Sequence, residues 1–577
     1  MMTSVHYSQR LLSTSLSIFF ALGAERVGSA QSGVGGPILP PTQTIPTQAS
    51  PVQATGEPEY ILRTRVPITI LDIVVTDSKG HPVHNLKQSD FTIFEDNHEM
   101  KPTSFEEHRS DATPTPPPTL VKDTLPPNTF TNIVPTLPDA GPINILLLDS
   151  LNTPTQVQQI VQLKILDFIK KMTPGTRMAI FAFNYHLTIL QGFTTDPEML
   201  KAAITGKKNI AQYSPIEDPG QDPAKDFRPP ESTFDMSCEN PDFAARGQYT
   251  LTAMKQLARY LSGIPGRKNL IWFGGSFPTM WPPDTGSCFD FADEINSATD
   301  LLARAHVSIY PIDGRALDRI PRGKGQDRAR KDEHYTMDHM ADQTGGRATY
   351  TSNDLAGALD DAVDSGSNYY ILTYTPTNRK LDNRFRNISV KVNLPGLHLV
   401  YRPGYYAVDP DIDLRGKRID KVTAMQTAMM RGAPAPTQIF FKVEIAQTPA
   451  SETALPSDNH PNLKQMKPPY RRYSVSYTTD INNITFSPSP DGTYHADFEF
   501  AAMVYNTDGD EVLNATTKEV RPILPAVTYQ AILKSGAKAR QEIAIPAKGD
   551  YLLRIAVHDL TSDRIGAIEI PLSSISP

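Results

Sequence analysis

The sequence predicts a multidomain α/β plus β protein, in which a central doubly wound parallel sheet is flanked by a small N-terminal β module and a C-terminal β-sandwich. Three observations predict it. The apolar run Ile143–Asp149 ends on an acid and passes at once into the helix-opening pair Thr153-Pro154, the pattern of a strand buried on both faces followed by a helix. Strand-like and amphipathic segments then alternate as far as Val363, as a parallel sheet with crossover helices requires. Beyond residue 436 the apolar period becomes two, the mark of half-buried strands.

Residues 1–30 read as a secretory signal peptide, with Arg10, an apolar run Leu11–Ala21 broken only by serines and a threonine, and Gly28-Ser29-Ala30 before Gln31. That run is too short to span a bilayer comfortably, and no later segment is apolar enough, so no transmembrane segment is expected after cleavage. A periplasmic or secreted location follows. Residues 31–58 form a disordered lead rich in Pro, Gly, Thr and Gln. Residues 59–108 form a small β-sandwich module built on Val66–Thr76 and Phe91–Glu95, small enough to need its neighbours for stability. Residues 109–142 are a Pro-rich linker, either an extended spacer or an ordered loop wrapped on the next domain.

The central domain spans residues 143–408. Val157, Ile160, Val161, Ile165, Phe168 and Ile169 keep helical spacing after the first strand. Met178–Phe183 is the second strand and pairs with His186–Phe193 across a short turn. A polar loop from Lys207 to Phe243 precedes a helix marked by Leu251, Met254, Leu257 and Leu261, and Asn269–Phe273 is the fourth strand. A helix at Ala292–Ala305, a strand at Val307–Ile312 and a short strand after Gly345-Gly346-Arg347 follow. Tyr369–Thr375 and Phe385–Val392 then read as a hairpin, with Leu397–Tyr401 a third strand that closes the domain. Residues 409–436 are a connector helix, and residues 437–577 are the C-terminal β-sandwich, immunoglobulin-like in architecture.

Composition narrows the function classes. The net charge of −7 is spread without long like-charged blocks, so there is no basic footprint for nucleic acid. The 51 prolines in 577 residues exceed the usual share of about 5%, and two short segments hold much of the excess, which marks domain boundaries. Only two cysteines occur, Cys238 and Cys288. In an exported chain they are read as one disulfide, closing a loop of about fifty residues at the carboxyl edge of the sheet, with two free thiols as the other reading.

Six segments in order carry a resemblance: Gln88–Asp96, Ile145–Asp149, Pro265–Trp272, Thr344–Arg347, Tyr369–Pro376 and Tyr401–Tyr406. Over roughly residues 60–408 the chain resembles the von Willebrand factor A-related domain family of exported bacterial proteins. The resemblance implies a von Willebrand A-like (Rossmann-like) central domain. It also implies a Mg²⁺ at the carboxyl edge of the sheet, held by an Asp-x-Ser-x-Ser motif, a loop threonine and a second aspartate. Hard oxygen ligands suit Mg²⁺, whose open position can take a partner's carboxylate. Asp149 matches the first position, Thr153 replaces the second serine, and Thr250, just before the next helix, matches the loop threonine. Leu151 stands in place of the first serine and Gly274 in place of the second aspartate. The site is therefore degenerate, and any Mg²⁺ should bind weakly. Thr153 is also explained as a helix N-cap, Asp149 as a structural acid, and Asp313 either as a substitute ligand or as part of an Asp-Gly turn.

No phosphate-binding loop, His-Glu-x-x-His or Gly-x-Ser-x-Gly elbow is present. His334 and His339 diverge by about 140° on a helix, which reads as a solvated charged helix rather than a ligand pair. The expected function is that of an exported, non-enzymatic, protein-binding or adhesion-type protein acting through the carboxyl edge of the central sheet. The second expectation is an envelope scaffold whose β modules make the contacts, and a hydrolase is disfavoured.

Overall fold

The structure is a computed structural model, and it describes residues 68–109, 125–133, 143–206 except 185, 241–277 except 276, 291–317, 324–350, 355–407, 421–507 and 512–576. The signal peptide, the disordered lead and both cysteines lie outside the described residues. In chain order the first strands are β1 (Thr69–Thr76), β2 (Phe91–Glu95), β3 (His98–Met100), β4 (Pro102–His108) and β5 (Thr129–Thr131).

The central part follows with β6 (Ile143–Asp149), α1 (Thr155–Lys171), β7 (Arg177–Phe183), β8 (Leu187–Thr194), α2 (Pro197–Ile204), α3 (Pro241–Leu261), β9 (Lys268–Gly274), α4 (Ala292–Arg304), β10 (Val307–Asp313), α5 (Lys324–Thr344) and α6 (Leu355–Ser365). Five strands form one sheet in the order β10-β9-β6-β7-β8. All neighbours are parallel except β8, which runs antiparallel to β7 at the edge, as the short turn between them requires. β6 is buried along its whole length because both faces are covered. Ile143, Ile145 and Leu147 join the core packed under α3, α4 and α5. Leu146 and Leu148 join the core with α1, α2 and α6. The sheet is doubly wound, and β6 lies at its centre. The short strand expected after Arg347 is reduced to a single parallel bridge, Ile312 to Thr349.

Next come β11 (Tyr369–Tyr374), β12 (Phe385–Val392), β13 (His398–Val400) and β14 (Gly404–Tyr406). Here the structure corrects the expected boundary at residue 408. β11 and β12 are not a hairpin. β11 pairs with β1 and β4, while β12 pairs with β2 and β14. Two four-stranded sheets result, β13-β1-β11-β4 and β14-β12-β2-β3, and each combines strands that precede the central sheet with strands that follow it. They enclose one core of Leu71, Ile73, Phe91, Ile93, Tyr370, Leu372, Tyr374, Ile388 and Val390. The reason is burial: the strands of residues 69–108 cannot cover their own apolar faces, and the later strands supply the missing half.

The remainder comprises α7 (Lys421–Met429), β15 (Phe441–Gln447), β16 (Tyr470–Thr479), β17 (Ser487–Pro488), β18 (Thr493–His495), β19 (Phe498–Asn506), β20 (Val512–Val520), β21 (Ile523–Pro525), α8 (Ala526–Ser535), β22 (Ala537–Pro546), β23 (Tyr551–Asp559) and β24 (Arg564–Pro571). The sheets β22-β16-β15-β5 and β20-β19-β23-β24 face each other across a core of residues such as Val443, Val475, Val504, Ile543 and Ile555. β5 comes from the Pro-rich segment, so part of that segment is neither a free spacer nor wrapped on the central domain. It is the edge strand of the C-terminal sandwich, with Thr131 opposite Lys442, and Asn132 donating to Ile439 O at 2.8 Å. The connector helix α7 packs Ala424, Met425, Ala428 and Met429 on the same sandwich, and the buried Arg554 donates to Ala428 O. No sequence pattern announced α8, which has no buried residue.

Candidate functional site

The loop from Asp149 to Pro154 is folded back on the end of the sheet. Ser150 N and Oγ both donate to Phe183 O, at 2.8 and 3.0 Å. Gln158 on α1 reaches back to donate to Ser150 O and Thr153 O. α1 starts one residue later than expected. Pro154 is the N-cap residue and brings no side-chain cap, so Thr153 does not cap the helix. Its Oγ1 is buried and has no hydrogen-bond partner.

Asp149 is 3% exposed, and both its carboxylate oxygens are engaged. Oδ1 accepts from Asn152 N at 2.9 Å. Oδ2 accepts from Asn152 Nδ2 at 2.8 Å and from the indole N–H of Trp272 at 3.2 Å. The same Asn152 Nδ2 donates to Thr250 Oγ1 at 2.9 Å. Thr250 lies inside α3, not before it, and its own proton goes to Arg246 O one turn back, at 2.8 Å. The structure places Asp149 and Thr250 on one amide, that of Asn152, which sequence reasoning passed over. Its signal was an asparagine three residues after an acid at a strand-to-helix turn, where Asx side chains commonly bond local backbone. Burial pushes the Asp149 carboxyl up to about 6, against the opposing effect of the Asn152 and Trp272 hydrogen bonds and the Arg246 charge.

The two departures from the expected ligand set have structural counterparts. Leu151 is 5% exposed and belongs to the core that also holds Leu251 and Trp272. A Cβ on Gly274 would lie 3.1 Å from Phe277 Cζ, and one on Gly275 would lie 2.9 Å from Pro154 Cδ. The strand end is closely packed: a Cβ on Gly274 would require the Phe277 ring to give by a few tenths of an ångström, and one on Gly275 would press on the Asn152–Pro154 loop. Mg²⁺ demands near-octahedral oxygen donors at about 2.0–2.1 Å. Here both oxygens of the one carboxylate already accept N–H donors, and the Thr250 hydroxyl is already an acceptor from an amide. The residues present do not fit the ion.

Asp313 does not substitute. Arg315 donates to it through N, Nε and Nη2, each at 2.9 Å, and His334 Nε2 lies 3.0 Å from its Oδ2. Burial would raise this carboxyl, but the His334 hydrogen bond and the Arg315 charge hold it far below the usual range. Arg315 also bonds Glu333. His334 is thus not on a solvated face: it is half-buried against Asp313 and stacked on Tyr350 at 4.1 Å. His339 diverges from it as expected and meets Asn296 Oδ1 at 2.8 Å, and burial lowers its pKa. Among the described residues no three His, Cys, Asp or Glu side chains are grouped as a metal site.

No protein-family model matches the chain, and no curated protein matches it. Solved structures similar to it include an aerotolerance-related membrane protein from Bacteroides fragilis, 12% identical over 39% of this chain and 98% of that one, with a TM-score of 0.22. Another is the vWF domain of the type V pili tip protein Mfa5 from Porphyromonas gingivalis, 11% identical over 39% of this chain and 95% of that one, TM-score 0.23. The three N-terminal domains of Mfa5 match 83% of this chain and 77% of their own at 9% identity, TM-score 0.24. Among the described residues no helix is long and apolar enough to cross a membrane.

Proposed function

We propose that this is an exported, non-enzymatic, protein-binding protein of adhesion type, whose von Willebrand A-like central domain binds through the carboxyl edge of its sheet with a degenerate metal site. The observation that carries this reading is the strand order β10-β9-β6-β7-β8 with Asp149-Ser150-Leu151-Asn152-Thr153 at the carboxyl end of the middle strand. In open α/β sheets that end of the strands is where ligands bind. Asn184 and His186 are exposed there, after the carboxyl end of β7. Affinity capture from envelope extract with the mature protein tests the reading. Wild type should retain a partner that the double variant Asn184→Lys, His186→Glu loses; equal recovery by both would overturn it. Cell fractionation tests export, with an amino terminus near Gln31 expected outside the cytoplasm. Turnover of generic ester, peptide or glycoside substrates would refute the non-enzymatic part.

One observation favours the second reading, an envelope scaffold. The two sandwiches borrow strands across the central domain, and Arg259 of α3 pairs with Asp563 of the C-terminal sandwich at 2.7 Å. On that reading the β modules carry the contacts, and an isolated central domain would retain no partner.

A further inference from the structure

The polar protons of Asn152 and Thr250 beside Asp149 all have a destination. Asn152 spends its backbone N–H on Asp149 Oδ1, and its side-chain NH₂ divides between Asp149 Oδ2 and Thr250 Oγ1. Thr250 can accept there because its own proton is committed to Arg246 O. That accounting sets the amide's orientation: the nitrogen, not the oxygen, faces the two acceptors. One nitrogen therefore sits between the acid and the hydroxyl that the A-type pattern would place on an ion, 2.8 Å from one and 2.9 Å from the other. The positive charge an ion would bring is supplied in part by the buried Arg246, one turn before Thr250 on α3.

We infer that the Asn152 carboxamide takes the place of a cation, clamping the β6 loop to α3, and that binding at this edge is independent of divalent ions. Asn152 is 5% exposed, Thr250 1% and Leu151 5%, so an ion would have to displace a satisfied amide from a closed setting. A weakly held ion cannot do that, because removing it from water costs more than one carboxylate returns. The clamp stands without any partner. Only the ion-independence of recognition rests on the proposed binding role.

The test uses the mature full chain. Mn²⁺ is titrated while the free ion is followed by electron paramagnetic resonance, and Tm is measured with Mg²⁺, with Mn²⁺ and with EDTA. Wild type should leave free Mn²⁺ undepleted and show one Tm in all three buffers. Asn152→Ala should lower the Tm of the central-domain transition by about 4–8 °C, as expected for two lost buried hydrogen bonds. Two results would overturn the clamp: Mn²⁺ binding by wild type that Asp149→Asn abolishes, or an Asn152→Ala protein with unchanged Tm. Should that variant fail to fold, the wild-type titration decides alone. A captured partner released by EDTA while wild-type Tm stays constant would refute the ion-independence and leave the clamp standing. Failure to capture any partner would refute the binding role only.

Discussion

Asp149 is held as an ion by three N–H donors in a place where burial disfavours the charge. A carboxyl whose folded pKa lies above its unfolded value of 3.8 adds stability when protonated, fully so below 3.8, and loses that contribution as pH rises through about 6. The difference amounts to on the order of 3 kcal/mol. Unfolding free energies of wild type and Asp149→Asn, compared across pH, should show wild type losing ground to the variant over that window and running parallel above it. Parallel curves throughout would mean that the carboxyl is not raised. Trp272, 123 positions away in the chain, completes the site by placing its N–H on Oδ2 from a fully buried indole.

At the scale of elements, close approach explains why glycine stands after α5. Gly345 has a φ of +72°, which only glycine adopts freely, and a Cβ on Gly346 would lie 2.0 Å from Ile309 O on β10. Backbone cannot yield there as a flexible side chain would. Gly346→Ala should therefore cost about 1–3 kcal/mol, read from urea unfolding monitored by tryptophan fluorescence. A variant as stable as wild type would show that the turn does not press on β10. The hairpin expected of β11 and β12 failed for a related reason. Period-two alternation tells which residues of a strand face inward, and it says nothing about which strand lies alongside. Tyr369–Tyr374 meets His108 and Ile73 instead of its neighbour in sequence, because the apolar faces of β1 and β4 needed cover. The N-cap at Pro154 in place of Thr153 is a one-residue difference of the kind helix ends commonly show.

At the scale of the whole molecule, a charged clasp joins the C-terminal sandwich to α3. His558 is fully buried, with Nδ1 3.4 Å from Glu499 and Nε2 3.1 Å from Asp563, and Asp563 in turn pairs with Arg259. Both ring nitrogens face carboxylates, so both must donate, which only the imidazolium does. Burial alone would lower its pKa, but the Asp563 and Glu499 hydrogen bonds raise it above 6.5. This contribution to stability is therefore complete below the unfolded value and is lost as pH rises through the folded one. As pH rises from about 6.5 through the raised folded value, wild type should lose stability relative to His558→Gln, seen as a falling Tm difference in calorimetry. A constant difference would refute the imidazolium. Thr437 adds neutral contacts to the same junction, donating to Tyr260 O and accepting from Gly263 N.

Read alone, the sequence determined most of the order of strands and helices in the central domain, the burial of Ile143–Asp149 on both faces, and the absence of a side-chain oxygen at Leu151 and Gly274. Each of these is a local pattern: an apolar run, a helical period, the chemistry of one side chain. Only the tertiary structure decided that β11 to β14 complete the N-terminal sandwich, that β5 leaves the Pro-rich segment for the C-terminal one, and that Asp313 and His334 belong to one charged network. It alone showed the part played by Asn152, whose amide joins an acid three residues before it to a hydroxyl 98 residues after it. A sequence displays what each segment needs to bury or to bond, but which distant segment meets that need is settled only when the whole chain packs.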